Sequence, residues 1–127
     1  MSIEVISTNK APAAVGPYSQ AIKVQGLVFV SGQIALDPDT GTLVRDSIEA
    51  ETERVMQNLR AILEAAGSSL DKVVKTTIYL TSIEDYAAVN KTYERFFASA
   101  KPARATVQVA ALPKGAHVEI EAVAIAS

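Results

Sequence analysis

The chain has 127 residues and a mass of 13.4 kDa, which is the length of one domain, so we expect a single domain over residues 1–127. Hydrophobic residues make up 49% and charged residues 20%, a composition that excludes an intrinsically disordered protein. The net charge of −2 lacks the basic excess of proteins that bind nucleic acid, so we expect no such partner.

The content of nucleophiles and metal ligands is also restricted. Cysteine is absent, which excludes disulfides, thiol nucleophiles and cysteine metal sites. His117 is the one histidine, so carboxylates would have to supply nearly all ligands of any metal site. No stretch reaches the ~18 apolar residues that span a bilayer, and the first four residues do not resemble a signal peptide. We therefore expect a cytoplasmic protein without membrane contact, or a matrix or plastid protein whose transit peptide has been removed.

The first third of the chain predicts short strands joined by turns. Apolar runs bounded by Gly, Pro and Asp favour such an arrangement. The predicted elements are a strand at Ile3–Ser7, a loop at Lys10–Pro17, a hairpin of Ala21–Val24 with Leu27–Ser31 around Gln25-Gly26, and a turn at Asp37–Gly41.

A long amphipathic helix follows. Asp46 or Ser47 caps it, with Glu49 placed to form a capping box with Asp46, and Gly67 ends it. The apolar positions fall on one face of a 3.6-residue period: Ile48, Val55, Met56, Leu59, Ile62, Leu63 and Ala66. The charged positions are expected on a solvated face: Glu49, Glu51, Glu53, Arg54, Arg60 and Glu64.

The second half alternates a strand, a helix and two strands. Val73–Thr81 predicts a β-branched strand, and Ser82 caps a helix with Asp85 in its first turn. The apolar stripe of this helix comprises Tyr86, Val89, Tyr93, Phe96 and Phe97, which we interpret as core. Asn90 lies on the same side, so it either fixes the core or belongs to a site.

The last two strands complete a mixed sheet. They are predicted at Ala105–Val109 and from His117 to Ala126, with a turn at Leu112–Gly115 between them. The order βββαβαββ indicates an α+β fold with a mixed sheet and two helices packed on one face.

The final strand tests what covers the other face of the sheet. One set of alternating residues is uniformly apolar: Val118, Ile120, Ala122 and Ala124. The opposite set is apolar at one end and acidic at the other: His117, Glu119, Glu121, Val123 and Ile125. Because a face bare to water would be polar throughout, we expect this face to pack against another subunit.

Glu119 and Glu121 are the first candidates for chemistry. Two carboxylates on one strand face repel each other, which raises the pKa of one of them towards neutrality; a salt-bridge network or solvent exposure is the alternative. Arg104 begins the preceding strand, where it either clamps a carboxylate ligand with two hydrogen bonds or pairs with one of these glutamates.

Three further positions have weaker signals. Tyr18 follows the rigid Gly16-Pro17 turn, where its phenol is placed to donate to a ligand. Ser31-Gly32 follows a buried strand and forms either a close-approach point for a ligand or a β-bulge. His117, at the start of a strand, is interpreted as a surface or interface residue rather than a catalyst.

These residues occur in blocks that resemble the Rid family, also called YjgF or L-PSP. The arginine that follows Pro102-Ala103 makes the chain most similar to the RidA branch. The resemblance covers essentially the whole chain and rests on Ala11–Gln20, Val30–Ile34, Val74–Leu80, Asn90–Phe97, Pro102–Val109 and Val118–Ala122.

The resemblance implies a fold, an assembly and an activity. The fold is chorismate-mutase-like, and three chains form a homotrimer with its sites in the clefts between subunits. The implied reaction is hydrolysis of 2-imino acids or their enamine tautomers, such as 2-aminoacrylate and 2-iminobutyrate, to 2-oxo acids and ammonia without a cofactor or a metal. The alternatives are a trimeric protein that binds small carboxylates without catalysis, and a ribonuclease that inhibits translation.

The resemblance also implies roles for three catalytic residues. Arg104 binds the substrate carboxylate, Glu119 orients and activates the attacking water, and Tyr18 closes the pocket and hydrogen-bonds the substrate or the water.

Four further residues are implied to bind the substrate. Ser31 and the Gly32 N–H lie at the carboxylate end, and Asn90 supports the site. Thr106 stands where many RidA proteins have cysteine, and its backbone carbonyl faces the imine nitrogen. The threonine keeps that carbonyl but excludes any thiol-based switching.

Overall fold

The computed structural model describes residues 2–126, so the first and last residues of the predicted domain lie outside it. Six strands form one sheet in the order β1-β2-β3-β6-β4-β5, with β4 and β5 parallel and all other neighbours antiparallel. This confirms the predicted α+β class, mixed sheet and element order. The bounds are β1 Glu4–Ile6, β2 Ala21–Val24, β3 Leu27–Gln33, α1 Ile48–Ala65, β4 Val73–Leu80, α2 Tyr86–Phe96, β5 Ala103–Gln108 and β6 Val118–Ile125.

The strands differ from prediction mainly at their ends. The β2–β3 hairpin turns at Gln25 and Gly26, whose φ values of +50° and +78° match a tight turn that suits the twist of a hairpin. β5 starts two residues earlier than predicted, because Ala103 pairs with Lys75 of β4 across the parallel ladder. β3 continues to Gln33 instead of ending at Ser31, because Gln33 pairs with Ile120.

The helix caps also need correction. Ser47 caps α1 by accepting a hydrogen bond from the Ala50 amide at 3.0 Å, and Gly67 follows the helix with a φ of +77°. Glu49 is therefore the second helical residue, and the capping box predicted with Asp46 is wrong. Ser82 caps a short 3-10 turn instead of α2, which itself begins at Tyr86.

The core lies between the two helices and one face of the sheet. The β6 side chains predicted as apolar, Val118, Ile120, Ala122 and Ala124, are all buried. They meet α1 residues of the predicted apolar stripe, which are at most 1% exposed: Val55, Met56, Leu59, Ile62 and Leu63. The two helices thus cover one face of the sheet, as predicted.

The other face of the sheet carries a bare apolar surface. Phe29 is 44% exposed and Ile125 is 48% exposed, and Leu27 and Val107 are exposed as well. Strand pairing places Phe29 beside Val123 and Leu27 beside Ile125, on the side that alternation assigns away from the helices. The predicted pattern, apolar at one end and acidic at the other, is therefore present.

Glu51 contradicts the prediction of a solvated charged face on α1. Only 1% of this residue is exposed. Its Oε2 accepts hydrogen bonds from the backbone amides of His117 at 2.7 Å and Val118 at 3.2 Å, and its Oε1 lies 2.9 Å from His117 Nδ1. The buried carboxylate satisfies the amides at the start of β6. His117 is a surface residue, as expected, with a side chain that is 49% exposed, and it is also a partner of α1.

Replacing Glu51 by alanine leaves the His117 and Val118 amides without their acceptor. Because unpaired buried polar groups are costly, we expect the free energy of unfolding to fall by about 2–4 kcal/mol. Urea denaturation measures this change. Glu64→Ala, on the exposed side of the same helix, is the matched control and should change stability by less than about 0.5 kcal/mol. Equal stabilities of the two variants would contradict this role of Glu51.

Candidate active site

A cavity of about 730 Å³ lies beside the bulged end of β3. Its walls come from the loop before β2, the segment after β3, the turn before β6, and the acidic side of β6. Four of the predicted site residues line it: Tyr18, Ser31, Gly32 and Glu119.

The bulge in β3 fixes Ser31 and Gly32 in the cavity wall. The register with β6 shifts between Val30 and Gln33, so these two residues leave the regular ladder. The Ser31 amide donates to the Gln20 carbonyl at 3.0 Å, and its hydroxyl donates to the Ser19 carbonyl at 2.6 Å. The β-bulge interpretation of this segment is confirmed, and the bulge places the segment at the cavity.

Gly32 lies directly against Glu119. A Cβ atom built at position 32 would overlap the Glu119 carboxylate, so any larger residue would displace that side chain. The missing side chain at position 32 therefore leaves the space that the Glu119 carboxylate occupies.

The loop that carries Tyr18 is held by a residue that the sequence analysis did not single out. Gln20 is buried, and its amide nitrogen donates to the carbonyls of Pro12 at 2.7 Å and Thr8 at 3.0 Å, while its oxygen accepts from the Thr8 amide. Tyr18 remains 52% exposed at the cavity mouth. Nothing in the sequence of this loop distinguishes Gln20 as its anchor.

Glu119 is half-buried, and its surroundings favour the protonated form of its carboxyl group. Burial raises the pKa of Glu119, and the negative charge of Glu121 raises it further. The predicted upward shift of one carboxylate is confirmed, although desolvation is a larger cause than the repulsion on which the prediction relied. Burial and the charges of Glu121 and Glu119 also raise the pKa of Tyr79, on the neighbouring strand.

Lys114 is a second residue of the cavity wall that the sequence analysis did not assign to a site. It has a left-handed φ of +58°, and its carbonyl accepts a hydrogen bond from Arg45 Nη2 at 2.8 Å. The sequence identified this segment only as a turn.

Arg104 belongs to a different cluster. Its Nη1 donates to Asn90 Oδ1 at 2.6 Å, and its Nη2 donates to the Tyr86 hydroxyl oxygen at 2.7 Å. No ion pair joins it to Glu119 or Glu121 in residues 2–126, so that alternative is wrong. Thr106 lies two residues further along the same side of β5. Its buried Oγ1 has no hydrogen-bond partner among residues 2–126.

The two groups of candidate residues occupy opposite faces of the sheet. Arg104 contacts side chains of α2, and its pairing partner Thr76 bonds to Tyr93 of that helix. Glu119 lies between the fully buried Val118 and Ile120, so strand alternation turns it away from the helices. A single chain therefore does not bring Arg104 and Glu119 together.

The described residues hold neither a cluster of metal ligands nor a helix that could cross a membrane. No group of three or more His, Cys, Asp or Glu side chains is arranged to hold a metal ion. No helix within residues 2–126 combines the length and the apolar character that a membrane crossing requires.

Comparisons with known proteins identify the family of the chain. The family model described as Endoribonuclease L-PSP matches residues 8–126. The human protein named 2-iminobutanoate/2-iminopropanoate deaminase is 52% identical, over 95% of this chain and 88% of its own length.

Solved structures give the same result. RidA from the Antarctic bacterium Psychrobacter has a TM-score of 0.92 and 49% identity, covering 96% of this chain and 98% of that one. Escherichia coli TdcF, crystallised with bound serine, has a TM-score of 0.93 and 38% identity, covering 98% of this chain and 99% of that one. With matches of this extent in both sequence and structure, the chain belongs to the Rid family, also called the L-PSP family.

Proposed function

We propose that this protein is a deaminase that hydrolyses 2-imino acids, or their enamine tautomers such as 2-aminoacrylate, to 2-oxo acids and ammonia. The observation that carries the proposal is the Glu119 carboxylate, which is half-buried, pressed against Gly32 and has a raised pKa in a cavity large enough for such a substrate. The name of the human relative, a 2-iminobutanoate/2-iminopropanoate deaminase, supports the same reaction.

The site is proposed to form between the subunits of a homotrimer. Because Arg104 and Glu119 lie on opposite faces of one chain, a second copy has to bring its Arg104 to the cavity. The bare apolar surface around Phe29 and Ile125 offers an area through which copies associate. Association would bury that surface and complete the site at the same time.

The reaction needs only a held carboxylate and a placed water. Arg104 of one subunit binds the substrate carboxylate, while Glu119 accepts a proton from water as the oxygen bonds to the iminium carbon. Glu119 then returns this proton to the nitrogen of the tetrahedral adduct. The carbon–nitrogen bond breaks and ammonia leaves. The adduct hydroxyl gives its proton to Glu119 as the 2-oxo acid forms, and Glu119 then releases this proton to solvent. The iminium carbon is already electrophilic, so no covalent nucleophile is required.

The remaining candidates take supporting roles. Tyr18, at the cavity mouth, closes over the substrate and hydrogen-bonds it or the water. Ser31 and the Gly32 amide lie at the carboxylate end, and Asn90 keeps Arg104 in place through its 2.6 Å hydrogen bond. The Thr106 carbonyl faces the imine nitrogen.

The charge of the chain argues against a ribonuclease. The net charge is −2, and the cavity wall holds the carboxyl groups of Asp37, Glu119 and Glu121 beside Lys114. One arginine from a second copy suffices for a small carboxylate, whereas binding along an RNA backbone needs a basic surface that this composition lacks.

Replacing Arg104 by lysine removes the two-pronged grip on the carboxylate but keeps the charge. We expect kcat/KM for 2-iminobutyrate to fall by about tenfold to a hundredfold, with an unchanged melting temperature. Threonine dehydratase supplies the imine, and the release of 2-oxobutyrate is followed with time. Arg60→Lys, on the exposed side of α1, is the control. Normal kinetics of the Arg104 variant would refute its role.

A mixing experiment tests whether the site is shared. Arg104→Lys, with its tenfold to hundredfold loss, and Glu119→Gln are each expected to be strongly impaired, but co-refolded mixed trimers combine an intact Arg104 of one chain with an intact Glu119 of another. Random assembly of equal amounts should restore about one quarter of the sites. Activity that stays at the level of the separate variants would contradict a site between subunits.

The raised pKa of Glu119 predicts the acid side of the pH profile. A general base must be deprotonated, so a raised pKa makes kcat/KM decline at a higher pH than an ordinary glutamate would. Glu121→Gln removes one cause of the shift, so the decline should move to lower pH. Profiles of kcat/KM for the two proteins measure this movement, and Glu64→Gln is a distant control. If the acid-side decline of kcat/KM stays at the same pH or moves to higher pH in Glu121→Gln, the effect of Glu121 on the pKa of Glu119 is refuted.

A further inference from the structure

Within residues 2–126, Arg104 is held by neutral groups only. Its guanidinium carbon lies 5.1 Å from the ring centroid of Tyr93 and 5.5 Å from that of Tyr86, and its two terminal nitrogens donate to Asn90 and to the Tyr86 hydroxyl. These contacts fix the plane of the guanidinium without neutralising its charge. The cluster is therefore a preformed receptor for an anion.

The hydrogen bonds of this cluster leave donors unused. Of the five N–H groups of Arg104, two are engaged by Asn90 and Tyr86, which leaves three for a ligand. The Tyr86 hydroxyl accepts from Nη2 at 2.7 Å, and because a hydroxyl is both acceptor and donor, its own hydrogen points away from the guanidinium. Tyr86 is 38% exposed, so this hydrogen is open to a ligand that lies beside Nη2.

We infer that Tyr86 is a further substrate-binding residue, whose hydroxyl donates a hydrogen bond to the carboxylate that Arg104 binds. The inference rests on the proposed function, since it concerns the same carboxylate. It assigns Tyr86 a role in selectivity: a donor beside the guanidinium favours an ionised acid over a neutral amide or ester, because hydrogen bonds to charged acceptors are the stronger ones.

The role differs from that of Tyr93 on the same helix. The Tyr93 hydroxyl is paired with Thr76 Oγ1 at 2.7 Å in the buried core, whereas its ring alone contacts Arg104. The rings of both tyrosines thus contact the guanidinium, but Tyr86 also places its hydroxyl group beside Nη2 of Arg104. Removing the hydroxyl and keeping the ring separates the two contributions.

The test compares two stable ligands, 2-oxobutyrate and its neutral amide, by calorimetric titration of the purified protein. Tyr86→Phe keeps the ring over Arg104 and removes the donor. We expect the Kd for 2-oxobutyrate to rise by about tenfold and that for the amide by less than about twofold. The affinity ratio of acid to amide therefore falls, which a general distortion of the site would not cause.

Tyr93→Phe is the matched control, since it deletes the same atom from the same helix. It breaks the bond to Thr76, so we expect a lower melting temperature and an unchanged ratio of acid to amide affinity. A Tyr86→Phe protein that binds both ligands as the wild type does, or loses affinity for both equally, overturns the inference.

The deaminase proposal can fail separately. If the wild-type protein hydrolyses 2-iminobutyrate but Tyr86→Phe keeps the wild-type ratio of acid to amide affinity, only the role of Tyr86 is overturned. If Tyr86→Phe lowers the ratio of acid to amide affinity as expected but the wild-type protein shows no turnover, only the deaminase function is overturned. Wild-type protein that binds neither ligand overturns the role of Tyr86, and the turnover assay then decides the proposed function.

Discussion

The alternation of side chains along β6 is the constraint on which both the core and the candidate site depend. Val118 and Ile120 are fully buried beneath the helices, and Glu119 between them turns to the opposite face. The strand that completes the core therefore also supplies the carboxylate of the cavity. Strand β5, at the edge of the sheet, turns Arg104 towards α2, so the same rule keeps the two principal charges of the site apart.

This separation has an electrostatic consequence. Arg104 is surrounded by an amide, a hydroxyl and two rings, and Glu119 has a like charge nearby instead of a cation. A salt bridge between the two groups in one chain would have lowered the pKa of the glutamate and occupied the donors of the arginine. Because the two groups are separate within one chain, burial and the charge of Glu121 keep the pKa of Glu119 raised there, and no carboxylate of residues 2–126 pairs with Arg104.

The sequence predicted what depends on local periodicity and missed what depends on distant contacts. The apolar stripe of α1, the turn at Gln25-Gly26 and the two-sided pattern of β6 follow from neighbouring residues, and all are present. Glu51 looks like any acidic residue in the first turns of a helix, yet its partners are 66 and 67 positions away. The apolar stripe of α2 predicts that Tyr86 belongs to the core, but this residue is 38% exposed, and only the folded chain shows that its hydroxyl meets Arg104.

Each of the two groups of candidate site residues is ordered within a single chain. Gly32 leaves the space that the Glu119 carboxylate occupies, and Asn90 and Tyr86 fix the guanidinium through short hydrogen bonds within one chain. Ordering a flexible arginine lowers its side-chain entropy. Here the side chain is already ordered in the folded chain, so substrate binding does not have to order it. A site assembled between copies of this chain would then need no rearrangement of its charged groups, so the binding energy of a small substrate would go into orienting its carboxylate and its reacting carbon.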